Sequence, residues 1–358
     1  MSRLERADLA RNTASGSLAA LGFAGLEALC REVSAPYTPE PVHGQEPRDG
    51  FPIVYSESRK RRMAIPEDVC VVCEQQTCPA VDLAQLPGDE LAFLTPNLYP
   101  ITYPFEDASA TTRGLHLVHW SCLDHRGGLA GADPATASGI LRQLARAEEF
   151  LLHNAPEQYP ERGDGHRGHV GVVKNRGRRV GGSVEHDHQQ ILLSAVLPAE
   201  PERARGLGPT LLRDTPKALV VDDLDGAARV LVPPFMRRPL HAFVVPAGPE
   251  AGWLHHLDDE LLDALALALA RLTRAADTLM TASHGEPAWN IVCHTGPGIG
   301  PLFELRPFTQ PLGGYEHLGL YLCEERPETS AARLREAFAA PPSSFDHDRY
   351  SDHARPRT

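Results

Sequence analysis

One order of elements runs through the middle of this chain twice: strand, proline-rich turn, strand, helix, strand, turn, strand. A chain with that repeat has few ways to bury its apolar faces. The first copy places strands at 91–95, 115–121, 169–175 and 186–194, with the proline-rich turn at 96–104. The second places them at 229–232, 240–246, 289–293 and 302–308, with its turn at 233–239. The helices are the best marked elements. Asp133-Pro134 supplies an N-cap followed by proline at the first helical position. Ile140, Leu144, Ala147 and Leu151 then follow as one apolar stripe. In the second copy Asp258 caps a helix with Leu262, Leu265, Leu269 and Leu272 at helical spacing, a core-facing stripe. Antiparallel strands with one helix laid across each copy predict an α+β fold. In this matching Glu304 and Arg306 take the places of His186 and His188, so the second copy lacks the chemistry of the first.

That chemistry sits in Lys174-Asn-Arg-Gly-Arg-Arg-Val-Gly-Gly-Ser-Val-Glu-His-Asp-His-Gln-Gln-Ile-Leu-Leu-Ser194. The segment reads as a strand end, a polar glycine-rich turn and a second strand. Period-two alternation puts His186, His188 and Gln190 on one face. Two imidazoles and an amide beside a glycine turn suit phosphoryl chemistry: backbone N–H groups and Ser183 hold phosphate oxygens, and an imidazole attacks phosphorus. Spacing alone leaves a metal pair or a solvated polar face as alternatives for His-x-His.

With 358 residues the chain suits two fused units, and 42% hydrophobic content is enough for sizeable cores. The net charge of −12 argues against nucleic acid or an anionic membrane as partner. An anionic small substrate stays compatible, because basic residues cluster at Arg59, Lys60, Arg61 and Arg62 and again at Lys174, Arg176, Arg178 and Arg179. The alternative for each cluster is a solvated basic loop. No apolar stretch is long enough to cross a bilayer, and the N-terminus lacks a signal-peptide core. Seven cysteines do not form a disulfide framework, which points to a reducing cytoplasm. Residues 1–50 read as a lead-in with a short helix near 21–33, residues 51–200 and 201–340 as the two halves, and 341–358 as a disordered tail.

Asn175, Gly177, Gly181, Ser183, His186, His188 and Gln190 together resemble the active-site segment of galactose-1-phosphate uridylyltransferases and their relatives in the histidine-triad superfamily. Asp187 stands where that family has proline, and Gln189 where it has a small residue. The resemblance covers roughly residues 50 to 340. It implies two histidine-triad-like halves, each an antiparallel sheet with a crossing helix, pairing into a homodimer.

Cys70-Val-Val-Cys73 is a half-site for zinc; on spacing alone it is equally a redox pair or two buried thiols, with Cys78 close by. No second Cys-x₂-Cys exists. The resemblance implies that histidines complete the site: His125, in Cys122-Leu-Asp-His125, and His186. His116 and His119 are rivals for His125. Cys70, Cys73, His125 and His186 then make one closed Cys₂His₂ site whose Zn2+ is structural, because four protein ligands leave no position for water. Some family members carry a second metal on histidines of the second half. Here His294 matches one such ligand, but the expected His-x-His is Glu304-Leu-Arg306, and a guanidinium has no lone pair for a metal. The expectation is that this second site is lost.

The resemblance implies a nucleotidyl transferase acting on a nucleoside-diphosphate sugar and a phosphorylated small-molecule acceptor, a sugar-1-phosphate, by double displacement. His188 is the nucleophile, Gln190 the donor to a non-bridging phosphoryl oxygen, and Ser183 with Gly181 and Gly182 the holder of the neighbouring phosphate. Asn175, Arg59, Arg62 and Asn97 are substrate-binding candidates; Asn97, after a proline, also reads as a plain turn residue. Glu316, in Gly314-Tyr315-Glu316, matches a hexose-binding carboxylate, whereas Leu322 stands where the family has glutamine. Glu185 before His186, together with Leu322, resembles a phosphorylase-like branch that uses inorganic phosphate on a nucleotide sugar or dinucleotide. The changes at Asp187 and Gln189 also fit a zinc-stabilised nucleotide-binding scaffold without turnover. Asp187 points away from His186 and His188 on a regular strand, and is expected to pair with Arg178 or Arg179.

Overall fold

The computed structural model describes residues 4–41, 46, 50–61, 66, 69–125, 127–163, 165–248 and 251–340. Arg62 and the tail at 341–358 lie outside them. Two helices open the chain, α1 (Arg6–Arg11) and α2 (Leu18–Ser34). The expected helix near 21–33 is the body of α2, whose start Ser17 caps by accepting from the Ala20 amide. Leu26 and Cys30 are buried in the main core, so the leading segment packs into the molecule. Strands β1 (Asp82–Gln85), β2 (Leu91–Pro96) and β3 (Gly114–Trp120) follow, then helix α3 (Pro134–Asn154). Next come a small hairpin, β4 (Glu161–Gly163) and β5 (His166–Arg167), and strands β6 (His169–Arg176) and β7 (His188–Ser194). The second half begins with α4 (Ala199–Arg203) and α5 (Leu207–Asp214), then β8 (Val220–Asp222), β9 (Ala228–Leu231) and β10 (Ala242–Pro246). It ends with α6 (Asp259–His284), β11 (Trp289–His294), β12 (Leu302–Pro307), α7 (Gly314–His317) and α8 (Pro327–Ala339).

Ten strands form one sheet in the order β1-β2-β3-β7-β6-β11-β12-β10-β9-β8, every neighbouring pair antiparallel. The fold is α+β with two halves. Within the first, β2 pairs β3, β3 pairs β7 and β7 pairs β6; within the second, β9 pairs β10, β10 pairs β12 and β12 pairs β11. The halves meet edge to edge at β6 and β11, where Asn175 faces Asn290.

The register corrects one detail of the sequence matching. Val118 and Phe243 stand equally far ahead of the helix-capping residues Asp133 and Asp258. Val118 pairs with Gln190, and Phe243 pairs with Glu304. Glu304 therefore holds the place of Gln190 rather than of His186, and Arg306 that of Leu192. A glycine-containing turn of different length ahead of each last strand produces the offset, which periodicity alone does not reveal.

Alternation sorts the sheet into two faces. Leu115, Leu117, Val172, Ile191, Ile291 and Leu305 join the main core under α3 and α6. The predicted stripe residues Leu144, Ala147, Leu151, Leu265, Leu269 and Leu272 are all buried in it. The helix caps form as expected: Asp133 accepts from the amides of Ala135 and Thr136 at 2.9 and 3.0 Å, and Asp258 from Leu261 at 2.9 Å. The opposite face carries His116, Trp120, His188, Gln190, Asn175, Asn290, Glu304 and Arg306. The long helices α3 and α6 thus take the apolar face and leave the polar side chains of the other face uncovered by them. Among the described residues no helix is long and apolar enough to cross a membrane.

Candidate active site and metal centre

His188 opens β7 opposite Trp120 of β3. Its Nδ1–H donates to the His186 carbonyl at 2.8 Å, which fixes the tautomer and leaves the Nε2 lone pair free. The Trp120 ring lies 5.2 Å from the His188 ring and 6.0 Å from that of His186, and its Nε1–H donates to Thr95 Oγ1 at 3.1 Å. One indole thereby holds both imidazoles. Burial against this wall pushes the His188 imidazolium down to about 4, so the ring is neutral at physiological pH. A neutral, oriented imidazole with a free nitrogen is what nucleophilic attack requires.

Gln190 is oriented by a residue that the sequence reading placed only among rival metal ligands. The Ile101 amide donates to His116 Nδ1 at 3.2 Å, which puts the proton on Nε2. That nitrogen lies 2.9 Å from Gln190 Oε1. With its oxygen engaged, Gln190 has its NH₂ left to donate elsewhere. The signal was present in Gly114-Leu-His-Leu-Val-His-Trp120, where period two puts His116 and Trp120 on one face. Asn97 Nδ2 is 3.0 Å from His116 Nε2, and its Oδ1 accepts from the Tyr99 amide at 2.8 Å. Asn97 is thus first a turn residue, the plainer of its two readings, placed beside the site.

The glycine turn is sterically determined. Gly177 has φ +94°, and a Cβ there would meet the Pro287 carbonyl oxygen at 2.2 Å. A Cβ on Gly182 would press on the backbone of Gly177 and Asn175 at 2.9–3.0 Å. Gly181 adopts φ +91°, a left-handed conformation that favours glycine. Asn175 Oδ1 accepts from Asn290 Nδ2 at 2.7 Å, so a residue of the second half positions it. Asn290 had no signal in the sequence, because its role depends on the β6–β11 pairing. Ser183 is half-buried in the same turn. Arg59 lies in an exposed 3-10 turn near enough to His116 to oppose its protonation. Glu316 does not join these residues: it is only half-buried, and its carboxylate accepts from Gly313 at 2.9 Å and Leu322 at 3.3 Å, closing its own turn.

The two departures from the family pattern face away from the site. Asp187 is largely enclosed and paired with the buried Lys174, and it accepts from Ser121 Oγ at 2.6 Å and the Leu129 amide at 3.2 Å. The expected partners Arg178 and Arg179 are displaced because Lys174, two pleats from its own strand's end, shares the buried face with Asp187. Although burial opposes ionisation, Lys174 and these donors hold the Asp187 carboxyl well below the usual carboxylate range. Gln189, on the same face, meets His119 Nδ1 at 2.7 Å, and His119 Nε2 meets Gln143 Oε1 at 3.1 Å. His119 is thereby excluded as a rival for the metal.

Behind His188, Cys70, Cys73, His125 and His186 bring one donor atom each within 4.8 Å of one another. His186 Nε2–H donates to the Cys122 carbonyl at 2.9 Å, so its Nδ1 lone pair faces Cys70 Sγ at 3.6 Å and Cys73 Sγ at 3.9 Å. His125 Nδ1 is buried without a hydrogen bond. Burial works to raise the Cys70 thiol, but the imidazoles of His125 and His186 bring it down to about 5; burial and the Cys70 thiolate push Cys73 up to about 12. A cation among them would favour both thiolates. Two sulfurs, two imidazole nitrogens and a carbonyl behind one ring fit a tetrahedral zinc site.

In the second half, Glu304 accepts from His241 Nε2 at 2.8 Å, His294 Nε2 at 2.9 Å and Arg306 Nη2 at 2.6 Å, and Arg306 also meets Glu200 at 2.9 Å. The permanent cation of Arg306 sits between two carboxylates. The place therefore holds an ion-pair network in which both histidines are already engaged.

Solved structures share this fold. A uridylyltransferase superposes with a TM-score of 0.63 at 19% identity, over 82% of this chain and 97% of that one. An ADP-glucose phosphorylase from Arabidopsis thaliana, solved with ADP-glucose bound, gives 0.60 at 20% identity over 84% and 99%. A GalT-like protein from Arabidopsis thaliana gives 0.60 at 21% over 75% and 90%. No family model matches the sequence.

Proposed function

We propose that this chain is a nucleotidyl transferase of the histidine-triad superfamily, working on a nucleoside-diphosphate sugar through a covalent nucleotidyl-histidine. The observation that carries the reading is the tautomer-locked, neutral His188, with a free Nε2 and an oriented amide two residues on. The shared fold of a uridylyltransferase and an ADP-glucose phosphorylase supports it.

In the first step His188 Nε2 attacks the α-phosphorus, a P–N bond forms, and the P–O bond to the leaving sugar-1-phosphate breaks. The Gln190 amide donates to a non-bridging oxygen as charge develops there. Ser183 and the amides of Gly181 and Gly182 hold the adjacent phosphate. Asn175 and Arg59 complete the anion site. In the second step an acceptor phosphate oxygen attacks phosphorus, the P–N bond breaks, and the imidazole returns neutral. Cys70, Cys73, His125 and His186 would hold a zinc ion that supplies rigidity behind the nucleophile; with four protein ligands it offers no site to substrate. The exposed apolar run Leu312, Leu318, Leu320 and Leu322 beside Tyr315 suits a homodimer contact.

Inorganic phosphate is the second acceptor to consider. Glu316 is engaged in its own turn and Leu322 offers no hydrogen bond to a hexose, both of which favour a phosphorylase. Consumption of UDP- and ADP-sugars with either inorganic phosphate or a hexose-1-phosphate separates the two. Turnover dependent on phosphate alone identifies the phosphorylase, and turnover dependent on the sugar phosphate identifies the transferase.

A further inference from the structure

We propose that His153, His166 and His255 form a second site for a divalent transition metal of the zinc class, one that staples the two halves together on the helix side of the sheet. His153 lies in the last turn of α3 and His166 in β5, both from the first half. His255 comes from the 3-10 turn Leu254–His256 that leads into α6 of the second half. Their ligand atoms lie within 4.8 Å of one another. The ring centroids are 4.5 Å apart for His153 and His166, 5.1 Å for His166 and His255, and 5.7 Å for His153 and His255. His166 Nε2 and His255 Nε2 stand 3.1 Å apart. Two imidazoles on a tetrahedral zinc, at about 2.0–2.1 Å from the metal, place their nitrogens about 3.3 Å from each other.

Glu148 supplies the independent observation. This carboxylate on α3 is fully buried, with 0% exposure. Its Oε2 accepts from His255 Nδ1 at 2.8 Å and from the His255 amide at 3.1 Å, while Oε1 has no partner. Among the described residues His255 is its one ion-pair partner. A fully buried carboxylate whose one ion-pair partner is an imidazole calls for positive charge at or beyond that ring. A cation on the far nitrogen of that imidazole provides it. This carboxylate–histidine–metal relay also fixes the His255 tautomer, with Nδ1–H on Glu148 and the Nε2 lone pair toward His166. Without a cation, that lone pair is met only by a proton on His166 Nε2. His256 is not part of the set: the ligand atoms that lie mutually close are those of His153, His166 and His255. His153 is exposed, which gives a cation a path in and leaves a coordination position for water. The cluster lies under α3, on the face away from His188, so its role is to join α3, the β4–β5 hairpin and the start of α6.

The test uses untagged full-length protein, loaded with zinc, desalted and assayed for metal by mass spectrometry. Wild type should hold about two equivalents per chain, and Cys70→Ser and His166→Ala about one each. Because His166 is buried, the exposed His153→Ala variant guards against a folding failure; it should fold and lose most of the second equivalent. Cobalt in Cys70→Ser should show d–d bands without a thiolate charge-transfer band, and this spectrum should vanish in Cys70→Ser/His153→Ala. About one equivalent in wild type, unchanged in His153→Ala, would overturn the proposal.

Discussion

The proposed nucleophile is defined by one hydrogen bond and one aromatic wall. The His186 carbonyl fixes the His188 tautomer, and burial against Trp120 keeps the ring neutral. The attacking form is the unprotonated one, so its fraction rises with pH through about 4 and is complete at neutrality. The acid limb of kcat/KM should therefore fall about tenfold per pH unit only near or below that value. A limb centred near the ordinary histidine value of about 6.5 would contradict this account. Gln190 depends on His116 in the same manner. Gln190→Ala should lower kcat by about 100-fold, and His116→Phe should lower kcat by less while leaving KM nearly unchanged. A His116→Phe effect confined to KM would place His116 in substrate binding instead. His188, Gln190 and the cysteine pair stood out as candidates because their pattern is local in sequence. His116 was visible only as a histidine on a strand, since its role depends on Ile101 and Gln190 arriving from other segments.

The element that presents the site is β7 with the turn ahead of it, and the buried pair Lys174–Asp187 fastens it from behind. Asp187→Asn leaves Lys174 buried without its counter-ion, a loss of about 3–5 kcal/mol by the usual cost of breaking such a pair. Urea unfolding should show it; a change under 1 kcal/mol would mean that Lys174 finds another partner. The sign with pH follows from the depressed carboxyl. The folded value lies below the unfolded value of about 3.9, so the pair's contribution is complete above that value and is lost as pH falls through the lower folded value. Wild type should lose this stability in acid, and Asp187→Asn should not. Alternation correctly placed Asp187 away from the histidines, but its partner could not be read, because three basic residues compete within the same segment and only burial selects Lys174. The offset of Glu304 and Arg306 was hidden for a related reason: register is set by ladder pairing, and sequence matching sees only period two.

At the scale of the whole molecule, one sheet carries the long helices α3 and α6 on one face and the proposed site on the other, and the halves meet beside it at the Asn175–Asn290 contact. The duplication was legible because helix caps and strand periodicity recur in order. The edge strands β1 and β8 and the β4–β5 hairpin were not, being too short to show a period. The Cys₂His₂ cluster joins the 70–73 loop, the end of β3 and the start of β7. Cys70→Ser should therefore lower Tm by roughly 3–5 °C, the shift expected for a few kcal/mol in a chain of this size. It should lower kcat as well, because His186 no longer braces His188. Full activity in a zinc-free Cys70→Ser variant would remove the metal from the account.

The most direct measurement is intact-protein mass spectrometry after brief incubation with UDP-, ADP-, GDP- and CDP-sugars in turn, with wild type beside His188→Ala. The account predicts a mass increase of one nucleoside monophosphate with one donor, absent in His188→Ala. Turnover of a nucleotide sugar without that adduct, or an adduct that persists in His188→Ala, would contradict it; tight binding of every donor with neither adduct nor turnover would make the chain a nucleotide-binding scaffold.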